Sequence, residues 1–431
     1  MQVDLGKEDG KAGGATNERL LAARERAILG CLWGTAVGDA LGLSYEGLTP
    51  DRQRRLFPDT ASYHLLFGHG MVSDDTEHTW MVAQALLRSG GDPTRFGRSL
   101  AWQLRGWLLA LPGGIGLATL RATLRLCIGI SPDRSGVFSA GNGPAMRSAL
   151  LGVCYSASND ASISMDGKII DGKIIDERMD GNAAPDLALL KMLVRVNTRI
   201  THTDPKAEYG ALAIAIAAGI AADSSDSDSP LDIHQTIDRL IAAQPEEAEE
   251  FVTLLERVRR SLHAGESTES FARGLVGMRS KASVDNDQDG LKTSNRAVER
   301  KEHPKWKGVS GYVYHTVPVA LHAWLSFPAD YERAVLTVIR CGGDTDTTAA
   351  IVGGLVGARV GKLGIRPKWR TGLWEWPRTP ERMEILGKRL AHMQEAPTTG
   401  IRLNPLALLV RNLFFILVIL FHGFRRLLPP Y

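Results

Sequence analysis

Four cysteines in 431 residues, Cys31, Cys127, Cys154 and Cys341, stand far apart with no C-x-x-C pair. That scarcity argues against a disulfide framework and a thiolate zinc site, and makes a reducing, cytoplasmic compartment the expectation. Aromatic residues are only 6%, so a core has to be assembled from aliphatics and alanine. Neither sign of charge prevails: 51 Lys and Arg against 48 Asp and Glu leave a formal +3. No basic block is dense enough for a nucleic-acid footprint, and nucleic acid is not expected as a partner. Clean alternation of apolar and polar residues is missing, which argues against a sheet. Residues 1–17 lack an apolar stretch, so they read as a disordered lead-in and not as a signal peptide.

Glycine, by contrast, is plentiful at 45 residues, about 10% against a usual ~7%. With no collagen period, the excess points to tight turns and closely packed helices. Helical spacing of apolar residues recurs over 18–43, 76–88, 93–109, 144–153, 186–196, 205–222, 231–241, 246–262, 317–324, 331–339 and 347–360. Several of these segments open on Pro or an Asx, Ser or Thr cap. The fold class expected is all-α, one compact multi-helix domain over 18–400. Two polar stretches, 155–184 and 282–307, read as loop insertions, the first carrying a tandem Asp-Gly-Lys-Ile-Ile at Asp166 and Asp171. The Ser/Asp run at 223–230 reads as a solvated loop. Asp285, Asp287, Asp289 and Gly290 lack the closing Glu of a calcium loop, so no calcium site is read there.

Two acidic clusters precede helical segments: Ser73-Asp74-Asp75-Thr76, and Gly342-Gly343-Asp344-Thr345-Asp346-Thr347. Alone, each is explained by the favourable position of carboxylates at a helix N-terminus. Together they supply four carboxylates and several hydroxyls, the hard oxygen donors that Mg²⁺ or Mn²⁺ prefers. Asp344 and Asp346 converge only where the chain turns into its helix, which the double glycine permits. Gly38-Asp39-Ala40-Leu41-Gly42 leads to Glu46 in the following turn. Ser139-Ala140-Gly141-Asn142-Gly143-Pro144 offers close backbone approach and free N–H groups to an anion, and Thr201-His202-Thr203-Asp204-Pro205 adds a histidine.

The order of these five motifs over residues 25–365 resembles the ADP-ribosylglycohydrolase family, which includes the dinitrogenase-reductase-activating glycohydrolases and the ADP-ribosyl-acceptor hydrolases. The resemblance implies an all-α domain with a binuclear Mg²⁺ or Mn²⁺ centre in a cleft. Its metal ligands would be Ser73, Asp74, Asp75, Asp344, Asp346 and Thr347; Ser73 stands where many members have Thr. Ser139, Gly141, Asn142 and Gly143 would hold the diphosphate and adjacent ribose, and His202 would contact the ligand. Ala140 replaces an aromatic found in other members, at the expense of one adenine contact. The implied reaction is attack of water on the anomeric carbon through an oxocarbenium-like state, Glu46 or Asp75 taking the proton. It would release ADP-ribose from a modified protein or a small-molecule conjugate. A two-metal phosphohydrolase and a catalytically silent ADP-ribose binder are the alternatives.

The segment 401–431 is a hydrophobic C-terminal helix by composition. Its longest uninterrupted apolar run, Leu413 to Phe421, is too short to cross a bilayer, which needs about 20 residues, and Arg411 and Asn412 interrupt the longer run from Leu406. Contact with the cytoplasmic membrane face through 405–428 is the first expectation, a helix docked on the domain the second, and a tail anchor the third.

Overall fold

The computed structural model describes residues 8–155, 185–224, 230–285, 306–393 and 399–427. The Asp166 and Asp171 repeat, most of the Ser/Asp run, and Asp287, Asp289 and Gly290 lie outside them. Among the described residues there are helices and isolated β-bridges but no strands, as the all-α reading requires.

The molecule is organised on two antiparallel helices, Glu8–Gly42 and Thr345–Val360. Glycine recurs every four residues on the first, at 30, 34, 38 and 42. A Cβ on Gly30 would lie 2.0 Å from the Gly357 carbonyl oxygen, one on Gly34 2.0 Å from that of Gly353, and one on Gly38 2.1 Å from that of Ala349. Backbone therefore packs on backbone, closer than side-chain ridges allow. The consequence for function is positional: the last turn of the first helix meets the first turn of the second, where Thr345 Oγ1 donates to the Gly42 carbonyl at 2.8 Å.

Asp74–Ser89, Pro205–Asp223 and Val313–Ser326, each largely buried, pack round this pair with Tyr331–Arg340. Helix starts follow their caps: Asp92, Asp204 and Asp330 each accept a backbone N–H of the first turn. Some boundaries differ from the periodicity. The first helix begins at Glu8, inside the stretch read as a lead-in, because extending an anchored helix is far cheaper than starting one. The single helix expected over 144–153 is two short pieces, Gly143–Met146 and Ala149–Cys154. The break turns Arg147 inward to Asn197, Thr201 and His78. Val313–Ser326 begins before Pro318, which the helix accommodates internally.

Burial holds His78, His202, His322 and His422 neutral. His322 stacks on Phe271 at 4.6 Å between the hydroxyls of Thr268 and Ser261, and burial pushes it down to about 4. Its unfolded value is near 6.5, so its contribution is complete above that value and is lost as pH falls towards 4. Relative to His322→Gln, the protein should lose on the order of 1.4 kcal/mol per pH unit over that window. Denaturant unfolding of both proteins at pH 7, 6 and 5 measures the difference.

The tail helix Pro405–Arg425 is capped by Asn404 and mixes polar and apolar residues on its inner side. Arg411, Asn412, Phe415, Val418 and His422 are buried. Arg411 Nε and Nη2 form a bidentate pair with Glu375 at 2.8 and 2.6 Å, Nη1 reaches Glu77 at 3.3 Å, and Nη2 also donates to the Val72 carbonyl. Asn412 donates to the Ala110 carbonyl at 2.8 Å and His422 bonds to that of Ser44. The residues that interrupt the apolar run in sequence are thus the ones that hold the helix to the domain.

Candidate active site

The turn before Thr345–Val360 is shaped by two glycines with positive φ, Gly342 (69°) and Gly343 (83°). A Cβ on Gly343 would fall 2.0 Å from the Val309 carbonyl oxygen, so no larger residue fits. Gly47 N donates to the Gly343 carbonyl, Gly343 N to that of Leu48, and Asp344 N to that of Val309. This lacing fixes Asp344 at the cap and Asp346 in the first turn, and places Glu46 beside both.

Across from it, Ser73 caps Asp74–Ser89, its Oγ accepting from Asp75 N. Asp39 reaches this helix start from the first helix. It accepts from Ser73 N at 2.9 Å, Thr76 N at 3.2 Å and Thr76 Oγ1 at 2.5 Å. Burial raises Asp39 to about 7 against those donors. Asp75 joins the two helix starts: its Oδ2 accepts from Ser73 Oγ at 3.1 Å and Thr347 Oγ1 at 3.2 Å. Its Oδ1 and that of Asp346 are buried with no partner. Asp74, Asp75 and Asp346 are all raised well above the usual carboxylate range, first by burial and then by one another and their acidic neighbours. Glu46, at the mouth, is raised by loss of water and by Asp344, against the opposing charge of Arg426.

The cleft between these elements has a volume of about 670 Å³. Glu46, Ser73, Asp74, Ser139, Gly141, Asn142, Gly143, His202, Asp344, Asp346 and Thr347 all line it, so the structure gathers the sequence-predicted residues with one exception. Asp75 lies behind the wall, fully buried. Asn142 ties the glycine loop to the acidic cluster, donating from Nδ2 to Asp344 Oδ2 at 2.7 Å and to Thr316 Oγ1 at 3.0 Å. His202 sits directly beneath the loop: a Cβ on Gly141 would lie 3.0 Å from its Nε2, and one on Gly143 3.1 Å from its Cε1. Burial, reinforced by Arg147, holds this imidazole neutral at about 3.

Five residues outside the sequence-predicted set also contribute. Asp39 orients the Ser73 turn, and its signal was the carboxylate inside an otherwise small and apolar Gly38–Gly42 run. Lys307 adds a cation to the mouth. The tail helix supplies Phe415 and Ile419 as one wall and, just past its end, Arg426, whose Nη1 donates to the Glu46 carbonyl at 2.9 Å. Nothing local in the sequence marks these last three.

Among the described residues no three Asp, Glu, His or Cys side chains close on one point. The oxygen donors here are mixed, carboxylates with hydroxyls. The two orphaned carboxylate oxygens are what a divalent cation would satisfy, since an unpaired buried carboxylate is costly. The donor set therefore fits Mg²⁺ or Mn²⁺.

An all-helical domain whose two facing helix starts converge carboxylates on a cleft defines a recognisable class. Residues 20–399 match the ADP-ribosylglycohydrolase family, and the chain belongs to it; this is a hydrolase family acting on ADP-ribosylated substrates. An uncharacterised protein of Archaeoglobus fulgidus is 26% identical over 81% of this chain and 92% of its own length. The chicken ADP-ribosylhydrolase ARH3 is 23% identical over 83% of this chain and 93% of its own. A solved structure described as an ADP-ribosylglycohydrolase-related protein complex shares the fold, with a TM-score of 0.53 at 23% identity, covering 86% of this chain and 99% of that one.

Proposed function

We propose that this protein hydrolyses the glycosidic bond between ADP-ribose and an acceptor, a protein side chain or a small molecule, in a metal-dependent reaction in the cytoplasm. The observation that carries this reading is the pair of buried, partnerless oxygens, Asp75 Oδ1 and Asp346 Oδ1, on two helix starts linked through Thr347. Ser73, Asp74, Asp75, Asp344, Asp346 and Thr347 would hold two Mg²⁺ or Mn²⁺ ions. Bound there, the ions would supply Lewis-acid polarisation and orientation of the ribose hydroxyls.

The chain's own residues account for the rest. Gly141 and Gly143 give a backbone surface on which a diphosphate can lie, and Lys307 lines the same cleft as a cation. Neutral His202 supports that loop from below. Of the two candidate general bases, Glu46 faces the cleft and Asp75 does not, so Glu46 is assigned the proton transfer from water and Asp75 the alignment of the two helix starts. A raised Glu46 is better matched to that task near neutrality than an ordinary carboxylate. Acidic side chains round the anomeric carbon favour the positive charge that develops there. The Phe415 and Ile419 wall lowers the local dielectric and strengthens that effect.

Calorimetric titration with ADP-ribose, with and without Mg²⁺, tests the site, and product analysis on an ADP-ribosylated peptide tests the reaction. Metal-dependent binding with release of intact ADP-ribose is expected. Release of AMP or phosphate would replace this reading with phosphohydrolysis. Binding without turnover on arginine, serine and ester conjugates would make the protein a silent binder.

A further inference from the structure

The tail helix buries Arg411, Asn412 and His422 together with Phe415 and Val418, and leaves a second set of apolar residues facing outward. Leu406, Val410, Leu413, Leu417, Phe421 and Phe424 are between 46% and 68% exposed, and together they run the full length of Pro405–Arg425. This segment lies beyond residue 399, where the family match ends. Two loop tips flank it. Gly113 abuts Phe415 and Ile416, which places the Leu111 turn at the helix side. Phe67 heads the turn closed by the Leu66–His69 bridge; that turn is tied through Gly70 to Trp374, whose ring meets Phe414 at 6.1 Å. Leu111 and Phe67 are the two non-glycine residues with positive φ among those described, at 54° and 47°. Both bulky side chains are nonetheless exposed, Phe67 at 93%. Backbone of this kind is unfavourable for such residues and persists where function holds it.

We infer that this face is a membrane-binding surface, on which the tail helix lies in the plane of an anionic lipid leaflet with the Phe67 and Leu111 tips inserted beside it. Charge selects this occupant. Residues 399–427 contain no Asp or Glu, while Arg402 and Arg425 are exposed at the two ends of the helix. Anionic headgroups complement those two charges. A second copy of the chain would set arginine against arginine whether the helices ran parallel or antiparallel. A spanning orientation would tear Arg411 from Glu375 and carry it to mid-bilayer. An in-plane helix keeps every inner contact and buries only the outer face. The inference stands on the tail and the two tips, independently of the reaction proposed above.

The test is flotation of the full chain with vesicles of phosphatidylcholine alone or with phosphatidylglycerol, at low and high salt. The wild type should float with the anionic vesicles. Leu417→Glu/Phe421→Glu should lower partitioning at least tenfold with an unchanged melting temperature, as both side chains face outward. Arg402→Gln and Arg425→Gln should each weaken binding to anionic vesicles by about fivefold. A wild type that fails to float, or a double variant that floats equally well, overturns the inference. So does a wild-type dimer, seen by sedimentation velocity, that the double variant converts to monomer without any vesicle binding; the face would then belong to a second copy.

Discussion

Asp346→Asn should abolish metal-dependent ADP-ribose binding and lower hydrolysis by roughly 100- to 1,000-fold or more, the scale set by removing one preorganised electrostatic group from an active site. The same variant should be more stable than the wild type when both are metal-free. In the first helical turn a carboxylate gains at most about 2 kcal/mol from the dipole. Against that, Asp346 is buried with Oδ1 unpartnered and faces the charges of Glu46, Asp344 and Asp75. Desolvation and like-charge repulsion outweigh the dipole. In EDTA the melting temperature should therefore rise on the order of a few degrees, while the increase that Mg²⁺ confers on the wild type by linkage should disappear. Loss of function with gain of metal-free stability separates a ligand-binding carboxylate from a structural cap, whose removal lowers stability. A variant that stays active and still responds to Mg²⁺ would refute the assignment of Asp346.

Local chemistry made much of this site legible before the fold was known. Gly342 and Gly343 announced a turn that only glycine adopts, and the structure places Asp344 at the cap and Asp346 in the first turn for that reason. Asp92, Asp204 and Asp330 cap the helices that periodicity located. What escaped were relations between distant residues. Asp39 is one carboxylate in a small-residue run, and its purpose appears only when the backbone of Ser73 and Thr76 is brought to it. Arg411 reads as an obstacle to a membrane run because a single sequence displays its charge but not Glu375 and Glu77, which cancel it. The same blindness hid Phe415 and Ile419, whose place in the cleft follows from how the tail docks. Arg147 could not be seen to break its helix, since the demand comes from Asn197 and Thr201 on another element.

Arg411→Met should be among the most destabilising single changes in the molecule, by about 3–5 kcal/mol, the usual result of removing one partner from a buried ion pair. Glu77 would keep Arg378 at 2.6 Å and the Trp107 indole at 2.6 Å. Glu375 would keep the Val72 amide at 3.3 Å as its hydrogen-bond partner, with Arg378 acting at longer range, and burial already lifts it above the ordinary carboxylate range with Arg411 alongside. The penalty is therefore the stranded Glu375 and not the loss of an attractive contact. Glu375→Gln in the Arg411→Met background should recover at least about 2 kcal/mol, a coupling of the size seen within one buried network. Denaturant midpoints of the four proteins in this cycle measure it. Because the same helix brings Phe415 and Ile419 to the cleft, Arg411→Met should also raise the KM for an ADP-ribosylated substrate more than it lowers kcat, and the double variant should restore part of that affinity. Additive stabilities would mean that Arg411 and Glu375 act separately. An unchanged KM would mean that the wall they hold in place takes no part in substrate binding.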